Sequence, residues 1–466
     1  MGNFWGSNVW STLILFSVLL CSLLVGNMLK KGLPFLRYSL IPTSVLGGAI
    51  LIVIAAVYKA ITGDVMFDTA LFGGNGTERL EIVTYHTLAL GFIASTLKTT
   101  EGKLTKKRSS EIFNTGVTTV ATYLIQGVLG LVITLIAAAV MKGFFEAAGI
   151  LLPFGYGQGT GQAMNYGNIY ETEYGFVGGK SFGLTIAALG FISASIGGVI
   201  HLNIMKKQGK ITVIDHRDRL NTEQIESENE IPMQESVDKM TIQIALIGIA
   251  YTLAYVAMVL LGNLLPGMKS TIYGFNFLLG VLCATLVKLA FKGLHKASIM
   301  KKDYSNNFLL TRASNFFFDI MIVSGIAAIR LDILERYWGL MLILGVVGLV
   351  ITYAYNRLVA KTLFRDYPEE QFMAMYGMLT GTASTGIILL REIDPDFKTP
   401  AADNLVYQNF PAIVFGFPLM ILATLAPKQP VLTTIILAVF FIVLNVILFR
   451  SKLFKRCGKA KDTDEN

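Results

Sequence analysis

The chain has 466 residues, of which 53% are hydrophobic and only 15% charged, with a mean hydropathy of +0.59; soluble domains carry about 25% charged residues. Apolar stretches of spanning length recur from end to end, which excludes both a soluble enzyme and a soluble domain on one anchor. The net charge of +8 does not mark a nucleic-acid binder, because the basic residues cluster in short loops between apolar runs, as they do when they orient a protein in a bilayer.

Read in chain order, the hydropathy predicts eleven spans, near 8–27, 39–58, 84–97, 114–141, 176–203, 239–262, 271–291, 310–329, 338–356, 404–426 and 431–449. The third is short and reads as broken or as beginning earlier. No basic residue lies within 1–10, where a cleaved signal peptide normally carries one. The first span therefore reads as retained, with the N-terminus outside. In that orientation the inside segments hold 30 of the 39 Lys and Arg residues and the outside loops hold 7, with Lys180 and Lys288 falling inside spans. This asymmetry predicts an odd number of crossings and a cytoplasmic C-terminus.

Two segments break the span pattern. Residues 144–171 contain PFGYGQGTGQAMNYGNIYE, and residues 369–394 contain QFMAMYGMLTGTASTGIILLREID. Both are too rich in glycine for a lipid-facing helix, since glycine costs about 1 kcal/mol against alanine in a helix interior. Both are also too apolar for a surface loop. A re-entrant hairpin reconciles these features, because irregular backbone survives at membrane depth only where protein or a wet cavity shields it. The first hairpin follows span four and is entered from outside; the second follows span nine and is entered from inside.

The predicted fold is thus an all-α integral membrane protein with two five-helix inverted repeats, each bearing a re-entrant hairpin, an architecture of transporters. Residues 1–203 form the first repeat and 239–426 the second. The charged stretch 204–238 reads as a cytoplasmic linker, and 427–466 as an extra C-terminal span with a basic tail.

Glycines at such turns let the backbone approach a ligand, and a helix starting after the turn points its N–H groups and positive dipole end at an anion. The candidates are Gly155, Gly157, Gln158, Gly159, Thr160, Gly161, Gln162 and Asn165 in the first segment. In the second they are Gly377, Thr380, Gly381, Thr382, Ser384, Thr385 and Gly386. Carbonyl and hydroxyl oxygens of the same turns suit a sodium ion. The competing reading is that the small residues only permit close helix packing.

Asp319, mid-way through span eight, is ionisable at a depth where charge is costly and usually functional. With Asn315 and Asn409 it forms the candidate sodium set. Gln408 opens span ten beside Tyr407 and Pro411 and is a further substrate candidate. Lys180 and Arg391 read as membrane-surface anchors or as anion partners. Cys21, Cys283 and Cys457 have no metal or disulfide spacing. His86, His201, His216 and His295 are scattered, and no HExxH, nucleophile elbow or phosphate loop occurs. The G-x-G-x-G within GYGQGTG lacks a βαβ context. No cofactor and no enzymatic activity are expected.

IPTSVLGGAILIV in span two, GQGTGQA with the EYGF that follows, MYGMLTGTAST, and SNFFFDI with AAIRL together resemble the bacterial sodium/glutamate symporter family. The likeness covers nearly all of the chain up to span ten. Leu379 stands where the family pattern leads one to expect glycine, and Ser384 where it leads one to expect proline.

The resemblance implies a fold shared with sodium/citrate carriers and an elevator-type mechanism, in which a mobile core bearing both hairpins moves against a scaffold. It also implies sodium as coupling ion, L-glutamate or a similar anionic amino acid as substrate, a place in the cell membrane, and a homodimer. Other readings are a sodium- or proton-coupled carrier of di- or tricarboxylates, an ion channel, and an integral scaffold without transport. A channel is usually built from symmetric subunits, whereas this chain holds two unequal inverted halves.

Overall fold

The computed structural model describes residues 4, 6–38, 40–98, 105–209, 237–266, 269–297, 302–331, 335–394 and 398–461. Among these there is no β-strand. The principal helices are α1 (Ser7–Gly32), α2 (Thr43–Thr62), α3 (Gly76–Leu97), α4 (Lys106–Val140), α5 (Leu151–Tyr174), α6 (Gly179–Lys207), α7 (Lys239–Leu264) and α8 (Asn276–Lys296). They continue with α9 (Asn307–Ala327), α10 (Trp338–Leu363), α11 (Pro368–Thr380), α12 (Ala383–Arg391), α13 (Ala401–Tyr407), α14 (Asn409–Leu425) and α15 (Pro430–Lys461). Among the described residues ten helices are long and apolar enough to cross a membrane, and eleven if the bent pair α13–α14 is one span. Of the expected linker 204–238, residues 210–236 lie outside the described residues.

Helix ends differ from the hydropathy limits for a physical reason. Hydropathy reads only the part of a helix in hydrocarbon, whereas the helix runs on into the polar interface. Thus α3 starts at Gly76 rather than near 84, with Arg79 Nε donating to Asn75 Oδ1 at 2.9 Å. Likewise α4 starts at Lys106, where Thr105 accepts from the Arg108 amide. Asp238 caps α7 by accepting from the Met240 and Thr241 amides, and Asn306 caps α9 through the Leu309 amide at 2.7 Å; each cap satisfies first-turn N–H groups that have no intrahelical partner. The tenth span is broken, with a bend of 52° between α13 and the helix from Pro411. Pro411 lacks the N–H that would bond the Tyr407 carbonyl, so the helix cannot continue straight there.

The chain divides into two compact units that cut across its linear order. One comprises Met1–Lys30, Thr43–Lys103 and Asp215–Ile329, and so holds α1–α3 with α7–α9. Its core includes Ile93, Leu97, Leu246, Ala250, Ala284 and Leu310. Within it the Ser314 hydroxyl donates to the Gly91 carbonyl at 2.9 Å, and Thr84 and Ser324 share a hydrogen bond of 2.9 Å.

The other unit comprises Lys31–Pro42, Leu104–Ile214 and Arg330–Asn466, with α4–α6 and α10–α15. Here α5 and α6 pack backbone to backbone: a Cβ at Gly183 would lie 2.3 Å from the Ala163 carbonyl oxygen. Both units expose large apolar side chains along their long helices, such as Ile249, Leu253 and Leu260 of α7 and Val346 and Val350 of α10. Such faces suit lipid as their solvent.

Candidate functional site

Both glycine-rich segments fall in the second unit, and both fold back on themselves. In the first, α5 is interrupted at Gly159, whose φ of 77° and ψ of −169° lie outside helical space. That region is essentially reserved for glycine. Phe154 and Tyr166 stack with ring centroids 4.0 Å apart, and Phe145 meets Tyr170 at 5.3 Å. In a straight helix twelve residues would separate Phe154 from Tyr166 by about 18 Å, so the arms on either side of Gly159 run back along each other.

The second turn is made by Gly381 and Thr382, between α11 and α12. Its arms touch through glycine as well, since a Cβ at Gly386 would lie 2.4 Å from the Ala374 carbonyl oxygen.

Helix α6 brings the two hairpins together. The Tyr156 hydroxyl of the first shares a 2.8 Å hydrogen bond with the Ser193 hydroxyl, and the Tyr376 hydroxyl of the second donates to the Ser193 carbonyl at 2.7 Å. Gly190, one turn earlier, lies beneath both Tyr156 and the Thr380 carbonyl. Each hairpin is also held by a long helix. Tyr156 donates to the Gly345 carbonyl of α10 at 2.6 Å. Gln126 of α4 donates through Nε2 to the Leu379 carbonyl at 3.1 Å and to Thr352 Oγ1 at 2.7 Å. Tyr123 donates to the Gly157 carbonyl at 3.0 Å. That carbonyl would ordinarily serve the amide four residues on, a bond that the break at Gly159 removes.

The entry of α11 is pinned by charge. Arg357 of α10 donates through both guanidinium nitrogens to the Glu369 carboxylate, one bond measuring 2.7 Å. His201 of α6 meets the same carboxylate at 2.9 Å through Nε2 and Tyr353 at 2.9 Å through Nδ1.

In the second unit four buried amide side chains each leave one polar atom without a hydrogen-bond partner: Gln126 Oε1, Gln162 Nε2, Asn356 Oδ1 and Gln408 Oε1. Leaving a buried polar atom without a hydrogen bond costs about 1–3 kcal/mol, a cost that a bound polar solute or ion would offset. Gln162 accepts at Oε1 from Asn165 at 2.9 Å, which aims its NH2 away as a bare donor. The N-terminus of α12 is uncapped by any side chain at Thr382, and Thr382 and Thr385 face each other at 3.4 Å. The one bare donor of the four, Gln162 Nε2, and the helix N-terminus suit a carboxylate, whereas the other three bare atoms are acceptors. No group of three His, Cys, Asp or Glu side chains that could hold a metal occurs among the described residues.

The sequence matches the sodium/glutamate symporter family model over residues 7–394. The chain belongs to the sodium/glutamate symporter family. That family is one of transporters, so the chain is a membrane transport protein, and symport of sodium with glutamate is the family's activity. Among curated proteins no relative matches the chain.

Against this family background the sequence-derived candidates sort clearly. Gly157, Gly159, Thr160, Gly161, Gln162 and Asn165 are all buried, and Gln158 is half-buried. Gly377, Thr380, Gly381, Thr382 and Thr385 are buried in the second hairpin, with Ser384 in the first turn of α12. Gln408 lies against it, donating to Met378 Sδ at 3.4 Å. The sodium set is not gathered in one unit: Asp319 and Asn315 are exposed on α9 of the first unit, while Asn409 is half-buried at the start of α14 in the second. Lys180 follows the loop after α5, its amide bonded to Glu171 at 3.2 Å, and Arg391 ends α12, exposed. The sequence reading passed over Gln126, Thr352 and Asn356, although an isolated amide inside an apolar run, as in YLIQGVLG and TYAYNRL, is a visible signal.

Proposed function

We propose that the protein is a secondary active transporter that carries L-glutamate, or a similar anionic amino acid, together with sodium across the cell membrane. The observation that carries this reading is the buried, unpartnered Gln162 Nε2 in the first of two interrupted segments that meet on α6. Substrate carboxylates are received by that amide and by the N-terminal turns after Gly159 and Thr382, with hydroxyls of Thr160, Thr382 and Thr385 completing the contacts. The two folded-back segments are re-entrant hairpins of two inverted repeats, spanning 1–203 and 239–426. The assignment of α4–α6 and α10–α14 to one unit, and of α1–α3 and α7–α9 to the other, supports that pairing.

The mechanism is of the elevator type. The hairpin-bearing unit is the moving part, and the other unit, as a homodimer, is the stationary part. Coupling requires the moving unit to relocate only when loaded with both solutes or with neither, which is a difference in the free energy of two states set by binding. Asp319 and Asn315, one turn apart on α9, serve the cation along its path. The N-terminus faces outside and the C-terminus the cytoplasm.

The test is labelled glutamate uptake into proteoliposomes with an inward sodium gradient. Uptake should be lost when choline or potassium replaces sodium; uptake that persists rejects the coupling. Competition by citrate or malate stronger than that by unlabelled glutamate would move the substrate to the carboxylate carriers, and single-channel currents would favour a channel.

A further inference from the structure

Three of the four unpartnered amide atoms are acceptors, which an anion cannot satisfy, and two of these belong to facing residues of α4 and α10. Gln126 Oε1 and Asn356 Oδ1 are acceptors, fully buried, with no donor in reach. Their orientation is decided by the partners of the opposite nitrogens. Gln126 Nε2 lies 3.1 Å from the Leu379 carbonyl, and Asn356 Nδ2 lies 2.9 Å from the Thr352 carbonyl. A carbonyl can only accept, so neither amide can be flipped.

Both amides are tied to one residue, Gln126 through the Thr352 hydroxyl at 2.7 Å and Asn356 through the Thr352 carbonyl. Asn356 also reaches the Thr122 hydroxyl, one turn before Gln126, at 3.5 Å. The result is a crossed pair of Thr–amide steps between α4 and α10, beside the end of α11.

The hydroxyls nearby have the same polarity. Thr115, Thr118, Thr119 and Thr122 are buried along α4, and each donates its proton to the carbonyl four residues earlier, at 2.7–3.0 Å. Their protons are thus spent on the helix, and what remains outward is oxygen, that of Thr115 accepting from Gln371 Nε2 at 3.2 Å. Counted from Thr115 to Gln126 this oxygen-bearing ladder is about 16 Å long.

We propose that Gln126 Oε1 and Asn356 Oδ1, with the hydroxyl oxygens of Thr122 and Thr352, bind a monovalent alkali cation, sodium, which enters or leaves along the threonine ladder of α4. The ligands are neutral oxygens. A hard divalent ion sheds water reluctantly and is usually held by carboxylates, whereas a monovalent ion is balanced by carbonyl and hydroxyl dipoles. The site rests on the symport reading above and supplies its linkage. Gln126 orients the Leu379 carbonyl two residues before the Gly381 turn, so a cation that holds the Gln126 carbonyl also sets the position of the N-terminal turn of α12, where the anion is received. The ion thereby prepares the substrate site without touching it.

The experiment is sodium titration of glutamate uptake in proteoliposomes for the full-length protein and for Gln126→Leu and Asn356→Leu. It is paired with sodium-dependent thermal stabilisation in detergent without substrate, using lithium, potassium and choline as controls. The half-saturating sodium concentration should rise at least tenfold in each variant, and the sodium-specific stabilisation seen in the wild type should be lost. Gln126→Glu and Asn356→Asp, which retain an oxygen ligand, should keep that stabilisation; its loss in both would overturn the site even if the leucine variants fail to fold. Unchanged sodium dependence in both leucine variants, with a sodium-dependent wild type, would also overturn it while leaving symport intact. Sodium-independent uptake by the wild type would instead reject the symport reading itself.

Discussion

Gln162 is the residue on which the proposed substrate recognition turns. Its oxygen is occupied by Asn165 and its nitrogen is left bare inside the protein. A hydrogen bond to a charged acceptor is worth about 1.5–3 kcal/mol, so Gln162→Leu should raise the KM for glutamate by roughly 10- to 100-fold, measured by initial uptake rates at saturating sodium. Asp319 is a contrasting case. Its side chain is exposed on α9, so Asp319→Asn should leave the thermal midpoint of the purified protein unchanged. If the carboxylate serves the cation, the same substitution should cut sodium-driven uptake at least tenfold; wild-type uptake in that variant would remove Asp319 from the path.

At the scale of the element, the first hairpin depends on backbone that only glycine accepts. Gly159 has a φ of 77° with ψ near −169°, and a side chain there costs about 1–3 kcal/mol. Gly159→Ala should therefore lower the thermal midpoint and impair uptake together. Gly157 is constrained differently: a Cβ there would meet the Tyr123 ring at 2.0 Å. Gly157→Ala should be damaging alone and partly rescued by Tyr123→Leu, which a double-mutant comparison of thermal midpoints would reveal.

The start of α11 depends on the Glu369 carboxylate, shared between Arg357 and His201. Glu369→Gln leaves Arg357 without its counter-charge in a largely buried place. Such a loss costs about 3–5 kcal/mol when burial is complete and less here, where part of the pair is exposed. Differential scanning fluorimetry should show a lowered midpoint, and Arg357→Met combined with Glu369→Gln should recover part of it.

At the scale of the whole molecule, the basic residues of alternate loops predict a cytoplasmic C-terminus. A fluorescent protein fused after Asn466 should fluoresce, and an alkaline phosphatase fused at the same point should be inactive; the reverse pair would invert the topology. The family match ends at residue 394, yet α15 beyond it packs on α4 within the second unit, and the Tyr355 hydroxyl of α10 donates to its Asn445 at 2.9 Å. The extra helix is therefore part of the body that carries the hairpins and not an appendage.

The order and number of helices, and the two glycine-bearing interruptions, were legible in the chain because each is a local property: hydrophobic length makes a span, and glycine density marks a place where a span cannot run straight. The same locality limited the reading of ends, so α3 and α4 begin eight residues earlier than their apolar parts. The grouping of helices is different in kind. That α4 and α10 share one unit while Asp319 and Asn315 lie in another, and that Gln126 meets a carbonyl 253 positions away, left no trace in any window of sequence. Hydrogen bonds between helices so distant along the chain are selected by how whole helices pack, and only the packed structure shows which buried amides find partners and which do not.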